Sequence, residues 1–406
     1  MSAGTLPGLL LEREATSPNA VAFRYFRHGK WNDVTIAQLK AKAAAIGSGL
    51  AGRGIASGEV IAIIAEDGPL FLAAEIGAQG IGARVLALDP SLGAGEVVAA
   101  ISAAGAVGVI VGDQEQFDKV DESRGELPTV RLLVVDATRG LRHLEIANRP
   151  DGDSTLTVSQ LEAGAVATGW EASALALAPS DGARAEGINT RSHASVVEEA
   201  RQLVSRLLLT KHDVLCAMQP VADPVEHALS VAGPLISASV VHFRGRASVQ
   251  QALRQVQPTI IHATPQWLAR ISSETDAQVS RATGLKKLAL QRGLTRRMPA
   301  NAIASRRRLN PIRLGGLAAA AAIFVLFLTT SSANDVARIA LAFALLIGFG
   351  VALLLSGNAA ASPVRRRYGL SRCRAVLTTD GTGLIGADLL GALDVPLIDA
   401  KQEVTS

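Results

Sequence analysis

The sequence predicts an α/β protein with two mostly parallel-sheet subdomains, interrupted by a two-helix transmembrane hairpin. The chain has 406 residues and is 49% hydrophobic, which is enough for two or three domains with apolar cores. Short apolar runs alternate with helical stretches, the order typical of parallel sheets covered by helices. Two long uncharged segments lie in the C-terminal third and match the length of membrane-spanning helices.

The alternation begins near the N-terminus. A helix is predicted from Ile36 to Leu50, because Thr35 is a favoured N-cap residue and Gly54 follows the helical stretch. We expect eight strands in the region before the uncharged segments: Val60–Ala65, Arg84–Leu88, Val107–Gly112, Arg131–Val135, Ala174–Ala178, Asp213–Met218, Ser239–Phe243 and Thr259–Ala263. The subdomains are predicted to divide near 164–172.

The domain organisation that follows has five segments. They are a first subdomain at 1–168, a second at 169–292, a basic juxtamembrane segment at 293–313, the hairpin at 314–362 with helices at about 314–334 and 339–357, and a tail at 363–406 that completes the second subdomain.

Composition excludes several classes of protein. Cys216 and Cys373 lie far apart, so neither a disulfide framework nor a cysteine zinc module is expected. The seven histidines show no paired ligand spacing, and no metal site is predicted. The net charge of +4 comes from two short arginine-rich stretches, so a nucleic-acid partner is not expected.

The predicted hairpin rests on two uncharged segments, Leu314–Asn334 and Ile339–Ser362. As helices they measure about 31 and 36 Å, enough to cross a hydrocarbon layer of about 30 Å. A buried helical hairpin is the alternative interpretation. The flanking arginines place both soluble parts in the cytoplasm, so the chain is expected to be integral to the cytoplasmic (inner) membrane with lipids as partners. The residues expected to anchor it are Arg306, Arg307, Arg308, Arg313, Phe324, Phe327, Phe343, Phe349, Arg365, Arg366 and Arg367.

A glycine motif near the C-terminus matches a dinucleotide fingerprint. Gly381, Gly383 and Gly386 follow a predicted strand, and Asp399 lies eighteen residues after the first of them. Only about half of a nucleotide-binding fold fits in the remaining sequence, which argues against NAD or FAD binding.

The order of segments resembles the adenylate-forming superfamily, and within it the long-chain fatty acyl-CoA synthetases. The resemblance runs from about Leu6 to Glu274 and resumes at Arg374–Ser406. The segments that carry it are Ala22–Tyr25 with Gly29–Trp31, Thr35–Gly54, Val60–Ala65, Gly80–Ala83, Leu88–Leu92, Asp213–Leu215 with Pro220, Gly233–Leu235, Val256–Thr259 and Ala263–Trp267. The resemblance implies that the glycine motif is a strand and loop of that fold.

The resemblance also implies where ATP phosphates would bind. The family uses a loop reading roughly Ser-Gly-Thr-Thr-Gly-x-Pro-Lys-Gly, and the matching stretch here is Ser180–Ile188. Only Ser180 is retained, Gly187 replaces the lysine, and Asp181 and Glu186 add negative charge. The degenerate nucleotide-binding candidates are Ser180, Gly182, Arg184, Gly187 and Thr405.

Other family positions also differ. Asp223 stands where the family has an acyl-site histidine, and Thr405 stands at the glutamate of its adenine and magnesium motif, unless a shift in register recruits Glu403. The later family motifs, including the ribose-binding aspartate and the C-terminal domain with its catalytic lysine, do not occur in this sequence. Asp223 and Trp267 are the acyl-pocket candidates, and no catalytic residue is assigned.

These differences predict a membrane-anchored, truncated acyl-CoA-synthetase-like protein that is catalytically inactive and acts as a binding, scaffold or regulatory subunit in a membrane complex. A fatty acyl group is the candidate ligand, and no cofactor is expected. One alternative is a long-chain fatty acid-CoA ligase that works with a separate C-terminal half and then uses ATP, magnesium and CoA. The other is a structural subunit of a membrane protein complex.

Overall fold

The computed structural model describes residues 4–139, 154–165, 169–187, 189–245, 247–283, 358–379, 389–390, 393 and 395–400. The chain divides into two compact units, Met1–Ala252 and Leu253–Ser406. Each unit is described by itself.

Helices and strands alternate along most of the described chain. The strands are β1 Val21–Arg27, β2 Lys30–Thr35, β3 Val60–Ile64, β4 Arg84–Leu88, β5 Ala106–Val111, β6 Leu132–Val135, β7 Ser154–Thr157, β8 Gly182–Glu186, β9 Asn189–Ser192, β10 Val214–Ala217, β11 Val240–Phe243, β12 Ile260–His262, β13 Ala375–Thr378 and β14 Leu397–Asp399. The helices are α1 Leu6–Thr16, α2 Ile36–Gly52, α3 Pro69–Gly80, α4 Ala94–Ala104, α5 Gln114–Asp121, α6 Val158–Ala163, α7 Trp170–Ala176, α8 His193–Arg206, α9 Pro224–His227, α10 Gly233–Ser237, α11 Val249–Val256, α12 Pro265–Arg281 and α13 Asn358–Arg367.

The first unit contains a seven-stranded sheet in the order β7-β6-β5-β3-β4-β8-β9. All neighbours are parallel except β8 and β9, which form an antiparallel hairpin. Every residue of the central strand β3 is buried, as expected for a parallel strand covered on both faces. Helices α4 and α5 contribute apolar side chains to a core with this sheet, including Ile101 and Phe117.

The same unit contains strands β10, β11, β1 and β2 as neighbours in that order. The β10–β11 and β11–β1 pairs are parallel, and β1 and β2 form an antiparallel hairpin. Phe23 and Phe243 meet edge to face at 5.6 Å between ring centroids, which is a favoured aromatic geometry. The hairpin turn uses His28 and Gly29, both at positive φ.

Close helix packing brings α2, α3 and α7 together. A Cβ on Gly47 would lie 2.4 Å from the Gly77 carbonyl oxygen, so glycine is needed where the two helices cross. The Trp170 indole Nε1 donates to that same carbonyl at 3.1 Å. Helix α3 is consequently buried from Leu70 to Gly80.

In the second unit β12, β13 and β14 are parallel neighbours. The Arg374 amide donates to the Thr259 carbonyl at 2.7 Å just before the paired strands begin. The Tyr368 hydroxyl donates to Glu274 Oε2 at 3.1 Å, which ties the end of α13 to α12. These contacts hold the two separate sequence regions of this unit together.

The α/β architecture with mostly parallel strands is confirmed, and seven of the eight predicted strands form within one residue of their predicted ends. The predicted strand Ala174–Ala178 is wrong, because Trp170–Ala176 is a helix whose buried face holds Trp170 and Ala174. Thr35 caps α2 as expected, with its hydroxyl accepting from the Gln38 amide at 3.2 Å.

The membrane part of the fold prediction needs correction. In the part of the chain that the structure describes, every helix is too short or too polar to cross a bilayer. The predicted hairpin lies outside the described residues except for the start of α13, which contains Pro363 and ends in three arginines. An uncharged run of sufficient length permits a membrane span but does not establish one. The described residues therefore do not support the predicted transmembrane hairpin or an integral location in the cytoplasmic membrane.

Candidate functional site

A cleft of about 1130 Å³ opens in the first unit at the carboxyl ends of β3, β4, β5 and β6. Ligand sites of α/β proteins favour this edge of a parallel sheet, where the βα loops begin. The β1–β2 turn and the loop after β11 complete the wall. The lining includes five carboxylates, Glu66, Asp67, Asp113, Glu115 and Asp136, and two arginines, Arg27 and Arg139.

Asp67 is a cleft carboxyl that is hydrogen-bonded to the protein backbone. Its Oδ1 accepts a hydrogen bond from the Val221 amide at 3.2 Å. Burial raises the pKa of Asp67 to about 7, and the nearby carboxylates of Glu226 and Asp89 add to the increase. This side chain therefore changes charge near neutral pH at the wall of the cleft.

The β8–β9 hairpin contains the stretch that was matched to the phosphate loop. Gly187 lies in its turn at a φ of +60°, which glycine adopts without strain. Arg184 lies mid-strand in β8, where it pairs in register with Val85 of β4 and Arg191 of β9. Its side chain is only 4% exposed, so the guanidinium lies in the core of the unit.

A buried cluster of charged and polar groups surrounds that guanidinium. Arg184 Nη1 donates to Glu75 Oε1 at 2.9 Å, and the same oxygen lies 3.0 Å from His227 Nε2. Gln79 Nε2 donates to Glu75 Oε1 and to the Ala183 carbonyl, both at 3.3 Å. The second nitrogen, Arg184 Nη2, donates to the Val221 carbonyl at 3.3 Å. We call Glu75, Arg184 and His227 the buried triad.

The triad is nearly neutral as a whole. Burial opposes the charge of Glu75, but the hydrogen bond from His227 and the positive charge of Arg184 hold the pKa of that carboxyl below its usual value. Burial and the Arg184 charge lower the pKa of His227, so its imidazole is neutral at pH 7. The neutral histidine donates from Nε2 to the Glu75 carboxylate. The one negative charge is thus balanced by one positive charge.

A fourth buried group, His193, lies beside the triad at the start of α8. His193 is 1% exposed, and neither of its ring nitrogens has a hydrogen-bond partner among the described residues. Burial lowers the pKa of His193 to about 4. The described residues include no group of three or more metal-binding side chains arranged to hold an ion.

The sequence-predicted nucleotide and acyl candidates belong to several elements. Ser180 is exposed in the turn before β8, and Gly182 begins that strand. Asp223 caps α9, where its Oδ1 accepts from the Glu226 amide at 2.9 Å. Trp267 is half-buried near the start of α12 in the second unit. Thr405 lies outside the described residues, as do the glycines of the 381–386 motif.

The basic residues predicted to anchor a membrane also have defined places where the structure describes them. Arg365 donates to four backbone carbonyls, those of Leu370, Ser371, Cys373 and Leu393, and so closes the chain reversal after α13. Arg366 and Arg367 are exposed. The residues Arg306, Arg307, Arg308, Arg313, Phe324, Phe327, Phe343 and Phe349 lie outside the described residues.

Sequence reasoning missed the buried triad. Arg184 was compared only with a phosphate-binding cation, and Glu75 was not singled out. The available signal was Glu75 itself, a lone carboxylate in the apolar stretch Leu70–Gly80, because such a residue requires a buried partner. His227 gave a weaker signal, since a histidine close to Arg184 cannot be inferred from spacing along the chain.

Comparison with known proteins supports the architecture. Residues 10–174 match the family described as AMP-binding enzyme. No curated protein sequence matches the chain.

Solved structures give a broader likeness. An anthranilate CoA ligase in complex with anthranoyl-AMP has a TM-score of 0.54 at 18% identity, covering 66% of this chain and 51% of the ligase. A Mycobacterium tuberculosis fatty acyl CoA synthetase has a TM-score of 0.53 at 19% identity, covering 65% and 50%. ATP-bound MatB from Rhodopseudomonas palustris has a TM-score of 0.53 at 17% identity, covering 66% and 50%.

At these identities the likeness concerns the fold. The chain spans about half the length of the ligases that it matches. The family match and the structural neighbours agree, and over about two-thirds of its length the chain resembles the adenylate-forming superfamily.

Proposed function

We propose that this chain is a binding or regulatory protein with the fold of an adenylate-forming enzyme, and that it does not itself form acyl-adenylates. The observation that carries this proposal is the position of Arg184. It is the only cationic side chain in the stretch matched to the phosphate loop, and it is buried in an ion pair with Glu75.

The remaining side chains of that stretch oppose phosphate binding. The Asp181 carboxylate accepts from the Ala178 amide at 2.8 Å, and Glu186 is an exposed acid at the hairpin turn. Among the solved neighbours, MatB binds ATP and the anthranilate ligase binds anthranoyl-AMP. A triphosphate placed here would meet two carboxylates without the family's lysine, and like charges repel.

The cleft at the carboxyl edge of the sheet is the candidate binding site of this protein. Its volume of about 1130 Å³ is at the upper end of the range of about 300–1,000 Å³ that is usual for small-molecule pockets. Five carboxylates and two arginines give its wall an excess of negative charge, which disfavours a polyphosphate ligand. A free fatty acid carries only one negative charge, on its carboxylate, and is the candidate ligand.

The experiment is an ATP/pyrophosphate exchange assay on the full chain with a series of long-chain fatty acids, alongside calorimetric titration with magnesium-ATP. MatB assayed with its own acid substrate is the positive control for the exchange. We expect no exchange above background and no heat of ATP binding. Exchange in the isolated full chain overturns the proposal.

A second candidate function is catalysis with a separate C-terminal half. The observation that favours it is coverage: the chain covers 64% of a solved N-terminal domain of FACL13 from Mycobacterium tuberculosis but only 50% of a fatty acyl CoA synthetase from the same organism. The same assay is therefore repeated with the C-terminal domain of a ligase added as a separate protein. Exchange only in the mixture would favour this candidate over the first.

A further inference from the structure

Three buried side chains near Glu75 carry polar atoms that make no hydrogen bond within the protein. Gln79 is 0% exposed, and His193 and His227 are each 1% exposed. Among the described residues, no group lies within hydrogen-bond distance of Gln79 Oε1, of His227 Nδ1 or of either ring nitrogen of His193. Because a buried polar atom without a partner is costly, these four atoms indicate a partner that the protein itself does not supply.

The three side chains approach Glu75 from different elements. Gln79 Nε2 donates to Glu75 Oε1 at 3.3 Å from the next turn of α3, and His227 Nε2 lies 3.0 Å from the same oxygen. His193 begins α8, which packs against the π-helical turn Ala228–Ala232 directly after His227. His193 is also close enough to Glu75 for their charges to interact. The unpaired atoms therefore belong to one polar region of the core.

The hydrogen bonds that are made determine which groups remain. Gln79 Nε2 lies 3.3 Å from both Glu75 Oε1 and the Ala183 carbonyl oxygen, which only accept, so the amide oxygen must point away from them. His227 Nε2 donates to the Glu75 carboxylate, so Nδ1 of the neutral ring is an acceptor. A neutral His193 adds one N–H donor and one acceptor. Three acceptors are thus left with a single donor.

This shortage of donors indicates the chemical class of the missing partner. An anion would bring only further acceptors. A cation would add a second positive charge beside Arg184 in the protein core, which is costly, and the described residues include no group of side chains arranged to hold a metal ion. A water molecule is small and neutral, and its two O–H groups supply the donors that are lacking.

We propose that Gln79, His193 and His227 enclose a site for ordered water in the core of the first unit. At least one water molecule donates to two of the three acceptors and accepts from the N–H of His193, which gives it the number of hydrogen bonds usual for a buried water. The water connects α8 to α3 and α9, which the buried triad already joins to each other. The inference is independent of the proposed function, because it concerns the core of the fold and not the ligand of the cleft.

A crystal structure of the full chain, at a resolution that shows ordered waters, is the direct test. We expect an electron-density peak at hydrogen-bond distance, about 2.7–3.2 Å, from at least two of the four atoms. A map in which these atoms bond to protein groups, or in which no density lies between them, overturns the proposal.

Magnetic relaxation dispersion of water ¹⁷O tests the proposal in solution, because it counts the water molecules that remain in a protein for longer than the protein takes to tumble. His193→Phe replaces the imidazole with a larger ring that has no polar atom. We expect this variant to lose at least one long-lived water, and a count equal to that of the unaltered chain overturns the proposal. If the variant does not fold, the crystal structure of the unaltered chain decides.

Leu203→Ala is the matched control. Leu203 lies on α8, as His193 does, and is 4% exposed. Its truncation opens space without adding a polar atom, and apolar cavities stay dry, so this variant should keep the count of the unaltered chain. A lower count in the control would show that any change of packing on α8 releases the water, and it would overturn the assignment of the water to this site.

Discussion

The Glu75–Arg184 ion pair should couple two residues that are 109 positions apart in the sequence. In the variant Glu75→Leu the Arg184 guanidinium keeps the Val221 carbonyl but loses its carboxylate in a site that is 4% exposed. Removing one partner of a buried pair costs about 3–5 kcal/mol in the free energy of unfolding. We expect a loss of that size, and a similar loss for Arg184→Met, which leaves Glu75 with only His227 and Gln79.

The double variant Glu75→Leu/Arg184→Met removes both charges and replaces them with apolar side chains. Such replacements are often neutral or stabilising, so the double variant should be more stable than either single variant. Urea denaturation followed by circular dichroism gives the four free energies of the cycle. The expected coupling energy is at least about 3 kcal/mol.

The exposed pair Arg24–Asp33 provides the control cycle. Its atoms approach to 2.7 Å, slightly closer than in the buried pair, but the side chains are 40% and 49% exposed. Its coupling energy should be about 0.2–1 kcal/mol. Additive effects of the Glu75 and Arg184 substitutions, or a coupling energy no larger than in this control, would refute the argument that burial makes the Glu75–Arg184 coupling energy large.

Three further predictions concern packing, ionisation and thiol reactivity. Gly80→Ala should destabilise the protein by about 2 kcal/mol or more in thermal denaturation, because the added Cβ would lie 2.2 Å from Nε1 of the buried Trp170 indole. Gly95→Ala is the control: its Cβ would have no atom within 4 Å, so this variant should not be destabilised. Asp67→Asn should raise the free energy of unfolding at pH 8 by roughly 1–3 kcal/mol and leave it unchanged at pH 4. The reason is that the folded protein has an Asp67 pKa of about 7, so stability falls as the pH rises above the lower pKa of this group in the unfolded chain. A gain in stability at pH 4 and not at pH 8 would contradict this sign. Both Cys216 and Cys373 are buried, and burial raises the pKa of the Cys216 thiol to about 12. A disulfide reagent should therefore modify both thiols only in denaturant. A thiol that reacts rapidly in the native protein would contradict the described packing.

Much of the fold could be predicted because its signals are local. The apolar run Val60–Ile64 and the capping residue Thr35 each act within one element, and both elements form where expected. The strand assigned to Ala174–Ala178 failed because alanine and leucine suit either structure in a short run. There the burial of Trp170 against α3 decides for a helix.

The candidate site was harder to predict because its geometry depends on distant partners. Within its own stretch of sequence, Arg184 has the positive charge expected of a phosphate-binding residue. Only the sheet register, which pairs it with Val85, shows that its side chain is buried in the core. The hairpins β1–β2 and β8–β9 were missed as well. Neither has the strict alternation of apolar and polar residues that marks a half-buried strand.

The buried triad also constrains how the chain acquires its structure during synthesis. Glu75 is made 109 residues before Arg184 and 152 residues before His227. Until both partners have left the ribosome, packing α3 into its native place would bury a carboxylate without its counter-charge, which is strongly unfavourable. Residues 10–174, which carry the family match, thus include a helix whose native packing is disfavoured during translation until the following 53 residues have emerged.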